Sequence, residues 1–139
     1  MQIKLVADVM VEAGGSVLLV RYSQPEKYDD QTGWFLPDGF LLHGEHPEEA
    51  ARRILVEQVG IDDVDVTLDH IESMDGDDWH MMFHFRGSQA AAETPRPSDA
   101  LVEARWFPVD ALPPPTDVAH EGWALAVIER IRGRLAARR

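Results

Sequence analysis

A glycine-bounded segment in the first half of the chain constrains the fold most. It runs over residues 39–61 and reads GFLLHGEHPEEAARRILVEQVGI. Pro47 followed by two glutamates is typical of the first turn of a helix, where proline is tolerated and acids suit the helix dipole. Gly60 is the natural residue for the left-handed position that ends a helix. The segment therefore predicts a loop followed by a helix over 47–59.

Alternating apolar residues predict a sheet around this helix. Residues 2–13 have the period of a strand, and Gly14-Gly15 separates them from a second strand at 16–23. The other predicted elements are strands or short apolar segments at 34–37, 64–74, 79–87 and 104–110, a hairpin turn at 75–78, and a final helix capped by Thr116 or Asp117 and ending near Arg138. The order β-β-β-α-β-β-β-α indicates an α+β fold or an α/β/α sandwich. At this length we expect a single domain over 1–139.

Charge and composition exclude several classes of function. The net charge of −12 repels phosphate backbones, so nucleic acid is not an expected partner. The chain has no cysteine, which excludes disulfides, thiolate zinc sites and thiol nucleophiles. No apolar run approaches the ~20 residues of a membrane span, and the N-terminus lacks the pattern of a signal peptide. We therefore expect a cytoplasmic protein without a membrane partner.

The spacing within 39–61 resembles the Nudix box. That box reads Gly, five residues, Glu, seven residues, then Arg-Glu-apolar-x-Glu-Glu-x-Gly-apolar, and seven of its nine defined positions match. The matching residues are Gly39, Glu45, Arg53, Leu55, Glu57, Gly60 and Ile61. Ile54 and Gln58 stand where the box has glutamate. The flanking stretches 33–39 and 103–113 also resemble the family. The resemblance covers nearly the whole chain and implies a Nudix-type α/β/α sandwich with a mixed β-sheet.

The resemblance also implies a reaction and a metal. Nudix hydrolases cleave a nucleoside diphosphate linked to another moiety, and Mg²⁺ or Mn²⁺ neutralises the phosphates. Glutamates at i, i+3 and i+4 share one helical face and can hold such ions. The implied site residues are Glu57, Gln58 and the carbonyl of Asp38 for the metal, Glu57 and Glu45 for catalysis, and Arg53 with Glu45 for a structural ion pair.

Substrate contacts are predicted at Arg21, which could meet a phosphate, and at Trp34, which could stack on a base. The alternatives for these two residues are a surface arginine and a core tryptophan. His80 and His84 are expected on one face of a strand, where half-buried histidines are common. The Asp38 carboxylate and the loop histidines His43 and His46 are further, weaker candidates for a metal.

Two functions remain open because the box is degenerate. Loss of two glutamates should weaken metal binding and slow hydrolysis by roughly 10²–10⁴. The first hypothesis is a divergent, weakly active Nudix hydrolase acting on a nucleotide-sugar or similar compound. The second is a catalytically inactive Nudix domain that binds a nucleotide, a metabolite or a protein partner. The resemblance also implies a homodimer.

Overall fold

The computed structural model describes residues 2–138 and shows a mixed sheet between two helices. Its elements are β1 (Ile3–Ala13), β2 (Ser16–Tyr22), β3 (Asp38–Phe40), α1 (Pro47–Val59), β4 (Asp65–Met74), β5 (Trp79–Gln89), β6 (Leu101–Pro108) and α2 (Ala119–Ala137). The strand order is β4-β5-β1-β2-β6, and β3 pairs with β1. Strand β1 is parallel to β5, whereas the other pairings are antiparallel. The predicted α/β/α sandwich is confirmed.

Both faces of the central strands are buried, one under each helix. On β1, Val9 and Val11 pack in the cluster that contains Leu55 of α1. Met10, between them in sequence, packs in the other cluster with Ile128 of α2. Because neighbouring strand residues point to opposite faces, a nearly continuous apolar strand needs a covering layer on each side.

Helix α1 begins and ends as predicted. Pro47 opens the helix, and His46 before it accepts a hydrogen bond through Nδ1 from the backbone N–H of Glu48 at 3.1 Å. Gly60 has φ +68° and donates its N–H back to the last turn. This left-handed residue stops the helix and turns the chain towards the next strand.

The predicted strand at 34–37 was wrong in its position. Trp34 and Phe35 form only isolated bridges, and the paired segment is Asp38–Phe40. Pro37 lacks the N–H that a sheet ladder needs, so regular pairing resumes only after it. The last strand was also shifted, since it occupies Leu101–Pro108 where 104–110 was predicted.

The predicted caps of the final helix were wrong. Neither Thr116 nor Asp117 caps α2; its N-cap position is Val118, which makes no side-chain capping bond. Residues 120–122 have positive φ values of 53–89°. The backbone therefore turns left-handed before the regular right-handed helix starts. No helix within residues 2–138 combines the length and apolar character that a membrane crossing needs.

Two valine-to-alanine substitutions, one at a buried and one at an exposed helix position, test how much the packing of α2 contributes to stability. Val127 is 3% exposed in the α2 core, whereas Val56 on α1 is 48% exposed. We expect Val127→Ala to lower the free energy of unfolding by roughly 1.5–3 kcal/mol, from lost burial and the cavity left behind. Val56→Ala should change it by less than about 0.5 kcal/mol. Both changes give the same gain in helix propensity, so urea unfolding of the pair isolates burial. Equal effects would contradict the packing of α2.

Candidate functional site

Arg53 joins the loop before α1 to the helix itself. Its Nε donates to Glu45 Oε2 at 2.8 Å, and its Nη2 donates to Glu45 Oε1 at 3.0 Å. Nη2 also donates to the Phe40 carbonyl at 2.9 Å, and Glu45 Oε1 accepts the N–H of Leu42 at 3.0 Å. The guanidinium fork holds strand end, loop and helix in one geometry. Glu45 is occupied by these bonds.

Gln58 faces the backbone carbonyl of Asp38. Its Nε2 donates to that carbonyl oxygen at 2.8 Å, and its Oε1 lies 2.9 Å from the hydroxyl of Tyr22. Tyr22 Oη accepts the N–H of Asp38 at 2.9 Å. Burial raises the pKa of Tyr22 well above its ordinary range, so the phenol stays neutral. The amide and carbonyl oxygens expected to bind metal are thus hydrogen-bonded to protein donors.

The other two positions on the α1 face differ sharply in exposure. Ile54 is 1% exposed and packs against Gly39, where an added Cβ would lie 3.3 Å from the isoleucine. The side chain of Glu57 is 61% exposed and pairs with Arg53 Nη1 at 3.1 Å. The face therefore offers one exposed carboxylate, which already pairs with Arg53.

These residues do not fit the magnesium site that the family implies. Mg²⁺ requires several oxygen ligands in near-octahedral geometry. The Gln58 amide donates a hydrogen bond to the Asp38 carbonyl oxygen. That bond would have to break before the carbonyl oxygen of Asp38 or the side-chain oxygen of Gln58 could turn towards an ion. Glu57 alone cannot replace the two missing charges.

A cavity of about 450 Å³ opens on the other face of the sheet. Strands β1, β3 and β5 form its floor, and the loop before β3 and the start of α2 form its walls. Tyr28, Phe40 and Trp123 give it aromatic surfaces. The only two lysines of the chain, Lys4 and Lys27, both line it. Asp29 and Asp38 line it as well. Lys4 pairs with Asp78 at 3.1 Å, so Lys27 is the exposed cation at the cavity.

The rim of the cavity contains strained backbone. Four non-glycine residues within 2–138 have positive φ, and they form two pairs, Asp29–Asp30 and His120–Glu121. Asp29 and His120 both line the cavity, and His120 Nε2 lies 3.4 Å from Asp29 Oδ2. Such conformations cost about 1–3 kcal/mol each and tend to occur at functional sites.

A row of polar residues crosses the sheet beside this cavity. His70, His84, Asp8 and Asp38 are successive register partners on β4, β5, β1 and β3. Register partners share a face, so the Asp38 side chain points away from α1 and lines the cavity. Burial raises the pKa of Asp38 well above its ordinary range, and the Asp8 and Asp29 carboxylates raise it further. Both effects favour the protonated form of Asp38.

Asp8 and His84 are fully buried within that row. Burial opposes the charged form of His84, but its bonds to Asp8 and Glu72 outweigh that effect and raise its pKa. Burial also raises the pKa of Asp8, although His84 acts against the shift.

The predicted substrate residues lie elsewhere. Trp34 is buried in the α2 core and stacks edge-on against Phe107 with ring centroids 4.9 Å apart. Arg21 lies over the Trp34 ring at 5.7 Å and pairs with Glu103 at 3.4 Å. Neither residue lines the cavity. By contrast, His80 lines it, on the same face of β5 as His84.

Sequence reasoning missed several residues of the cavity and the polar row. Lys4, Lys27, Asp8, His70 and Glu72 were not identified as candidates. The two lysines carried a signal, because they are the only ones in a strongly acidic chain. The alternation His70-x-Glu72 was also visible, since it places both side chains on one face of a strand.

Comparison with known proteins gives the family. A family model described as NUDIX domain matches residues 3–126. A MutT NUDIX hydrolase from Burkholderia pseudomallei superposes with a TM-score of 0.67 at 21% identity, covering 93% of this chain and 98% of that one. The E. coli dihydroneopterin triphosphate pyrophosphohydrolase superposes at 0.73 and 14% identity, covering 96% and 99%.

A third solved structure contains a ligand. It is the NUDIX domain of Shewanella oneidensis NrtR complexed with ADP ribose, with a TM-score of 0.76 at 19% identity, covering 97% of this chain and 89% of that one. A search of curated proteins returns no match. The chain belongs to the Nudix family, and it has the fold of Nudix hydrolases.

The Arg53–Glu45 pair yields a prediction of pH dependence. Hydrogen bonds from Arg53 lower the pKa of Glu45, so this carboxylate stabilises the fold above its unfolded pKa, near 4.3. That contribution is lost as pH falls through the folded pKa. We expect Glu45→Gln to be less stable than wild type at pH 7, with a difference that shrinks below about pH 4. Urea midpoints across pH test this; a difference that grows in acid would contradict the pairing.

Proposed function

We propose that this chain is a Nudix domain that binds a nucleoside diphosphate derivative in the lysine-lined cavity without using a box-bound magnesium ion. The observation that carries the proposal is the meeting of both lysines at one cavity. Lysine binds phosphate as a point charge, and here it would offset a negative field that otherwise repels anions.

The shape and lining of the cavity support the same ligand class. Its volume falls within the range of roughly 300–1,000 Å³ typical of small-molecule sites. Phe40 and Trp123 offer aromatic surfaces for a base, and the partly buried Asp38 side chain offers a polar group to a ligand. The ADP-ribose complex of the Shewanella domain supports ADP-ribose as the first compound to test.

The arrangement of α1 supports binding over hydrolysis. The bond from Gln58 to the Asp38 carbonyl satisfies both groups, and Ile54 belongs to the core. Arg53 and Glu45 still brace the loop. These contacts support a structural function for the segment 39–61 that needs no ion.

A divergent hydrolase is the second candidate, and the exposure of Glu57 favours it. A carboxylate that is 61% exposed could bind a single ion through one ligand and water. The two candidates differ in whether a divalent metal is needed.

A charge-matched pair of variants tests the cavity. Lys27→Gln removes a cation from the cavity, whereas Arg52→Gln removes an exposed cation that pairs with Glu48 on α1. We expect Lys27→Gln to weaken ADP-ribose binding roughly tenfold, because it removes one charge-assisted contact. Arg52→Gln should leave the affinity unchanged. Calorimetry in EDTA measures both; equal losses, or binding that disappears in EDTA, would count against the proposal.

A hydrolysis assay separates the two candidates. We expect no turnover of ADP-ribose, nucleotide-sugars or dinucleoside polyphosphates with Mg²⁺ or Mn²⁺, and the same result for Glu57→Gln. The control is Glu49→Gln, which removes an exposed glutamate from another side of α1. Metal-dependent turnover that is lost in Glu57→Gln and kept in Glu49→Gln would establish the hydrolase instead.

A further inference from the structure

A second cluster of ligand-type side chains lies beside the cavity, away from α1. Within residues 2–138, His70, Glu72 and His84 are the only three histidine or acidic residues whose ligand atoms all lie within 4.8 Å of one another. His70 and Glu72 belong to β4 and His84 to β5. Glu72 is the register partner of Met82, which lines the cavity.

A β-bulge in β4 brings the neighbours of this cluster together. The register shifts between Leu68, which pairs with Phe85, and His70, which pairs with His84. A bulge places two residues opposite one and re-aims their side chains. Asp69 and His70 consequently contact each other, with Oδ2 and Nδ1 2.5 Å apart, and both side chains are buried.

Each imidazole has a carboxylate at its Nδ1. His84 Nδ1 lies 2.7 Å from Asp8 Oδ1, and His70 Nδ1 lies 2.5 Å from Asp69 Oδ2. Metal-binding histidines almost always donate their second ring N–H to such a partner, which fixes the tautomer and the ring orientation. The Nε2 atom of His84 faces Glu72 Oε1 at 2.8 Å, and the Nε2 atom of His70 has no hydrogen-bond partner within residues 2–138.

His70 Nε2 is the unexplained atom of the cluster. The His70 side chain is only 8% exposed, and no residue within 2–138 makes a hydrogen bond with its Nε2 atom. With the ring proton on Nδ1, this nitrogen presents a lone pair. A salt bridge with Asp8 and Glu72 accounts for both ring nitrogens of His84 but leaves His70 Nε2 unsatisfied. Among the residues that the structure describes, Asp8 Oδ2 and Asp69 Oδ1 beside it also lack a hydrogen-bond partner.

We propose that His70 Nε2, His84 Nε2 and a Glu72 carboxylate oxygen bind a first-row transition-metal ion such as Zn²⁺, at a site separate from the Nudix box. Imidazole and carboxylate ligands suit Zn²⁺ and its neighbours in the series, whereas Mg²⁺ prefers oxygen alone. Ligand bonds of about 2.0–2.2 Å need ligand atoms roughly 3–3.5 Å apart. His84 Nε2 and Glu72 Oε1, now 2.8 Å apart, separate slightly when the ion takes the place of their shared proton.

The exposure of Glu72 gives the ion a path. Its side chain is 31% exposed, while both histidines lie beneath it. Arg134 Nε of α2 lies 3.4 Å from Asp69 Oδ2. The positive charge of α2 therefore pairs with the supporting carboxylate.

Cobalt binding tests the site directly on the full chain. We expect Co²⁺ to produce visible absorption bands with one ion per chain, Zn²⁺ to displace it, and Zn²⁺ to raise the melting temperature. Mg²⁺ should neither displace Co²⁺ nor raise the melting temperature. His70→Gln and Glu72→Gln should each weaken Co²⁺ binding at least tenfold. Two near-isosteric variants keep the test valid if one of them folds poorly, which circular dichroism will show.

Matched surface variants control for adventitious binding. His43→Gln and Glu49→Gln change exposed residues of the same types and should leave the Co²⁺ affinity unchanged. No bands at millimolar Co²⁺, or equal affinities in the cluster and surface variants, would overturn the proposal. Because the readout is metal binding in the absence of nucleotide, the result is independent of whether the cavity binds ADP-ribose.

Discussion

The central strand β1 is the constraint on which the rest of the structure depends. It pairs with β2, β3 and β5, and both of its faces are covered. Apolar residues such as Val9 and Met10 satisfy that burial easily. Asp8 does not, because a carboxylate removed from water must find a partner or remain protonated. His84 on the parallel strand β5 supplies that partner. The pairing of β1 with β5 therefore brings Asp8 and His84 together and forms the polar row at the same time.

Glutamine at position 58, where the Nudix box has glutamate, alters the box in a specific way. A glutamate there could only accept hydrogen bonds, and its charge would face the Asp38 carbonyl across a short distance. Gln58 instead donates to that carbonyl and accepts from the Tyr22 hydroxyl. The side-chain amide of Gln58 thus joins the Asp38 carbonyl and the Tyr22 hydroxyl by hydrogen bonds, without an ion between these oxygens. Ile54 extends the change by filling the space against Gly39 with hydrocarbon.

Much of the scaffold was predictable from sequence because its signals are local. Pro47 and Gly60 mark the ends of α1 through backbone chemistry that needs no tertiary information. The cavity and the polar row depend instead on which residues of β4, β5 and β1 lie opposite one another in the sheet. A turn over 75–78 would pair Met74 with Trp79, but Met74 pairs with His80, one residue further on. A one-residue slip exchanges the two faces of a strand, so His70 and His84 could not be matched from alternation alone. The bulge after Leu68 shifts the register again.

The two proposed sites together explain why an acidic protein buries so much polar chemistry in one sheet. A buried ion pair gives little net stability against an apolar replacement of similar size, so Asp8 and His84 are poorly explained by stability alone. Asp38 and His84 occupy the same rung on either side of Asp8. A ligand in the cavity would contact Asp38 at one end of this row, and an ion at His70 and His84 would bind at the other. Asp8 lies between the two ends, hydrogen-bonded to His84 and beside Asp38 in register, and an apolar residue in its place would leave His84 Nδ1 without that partner.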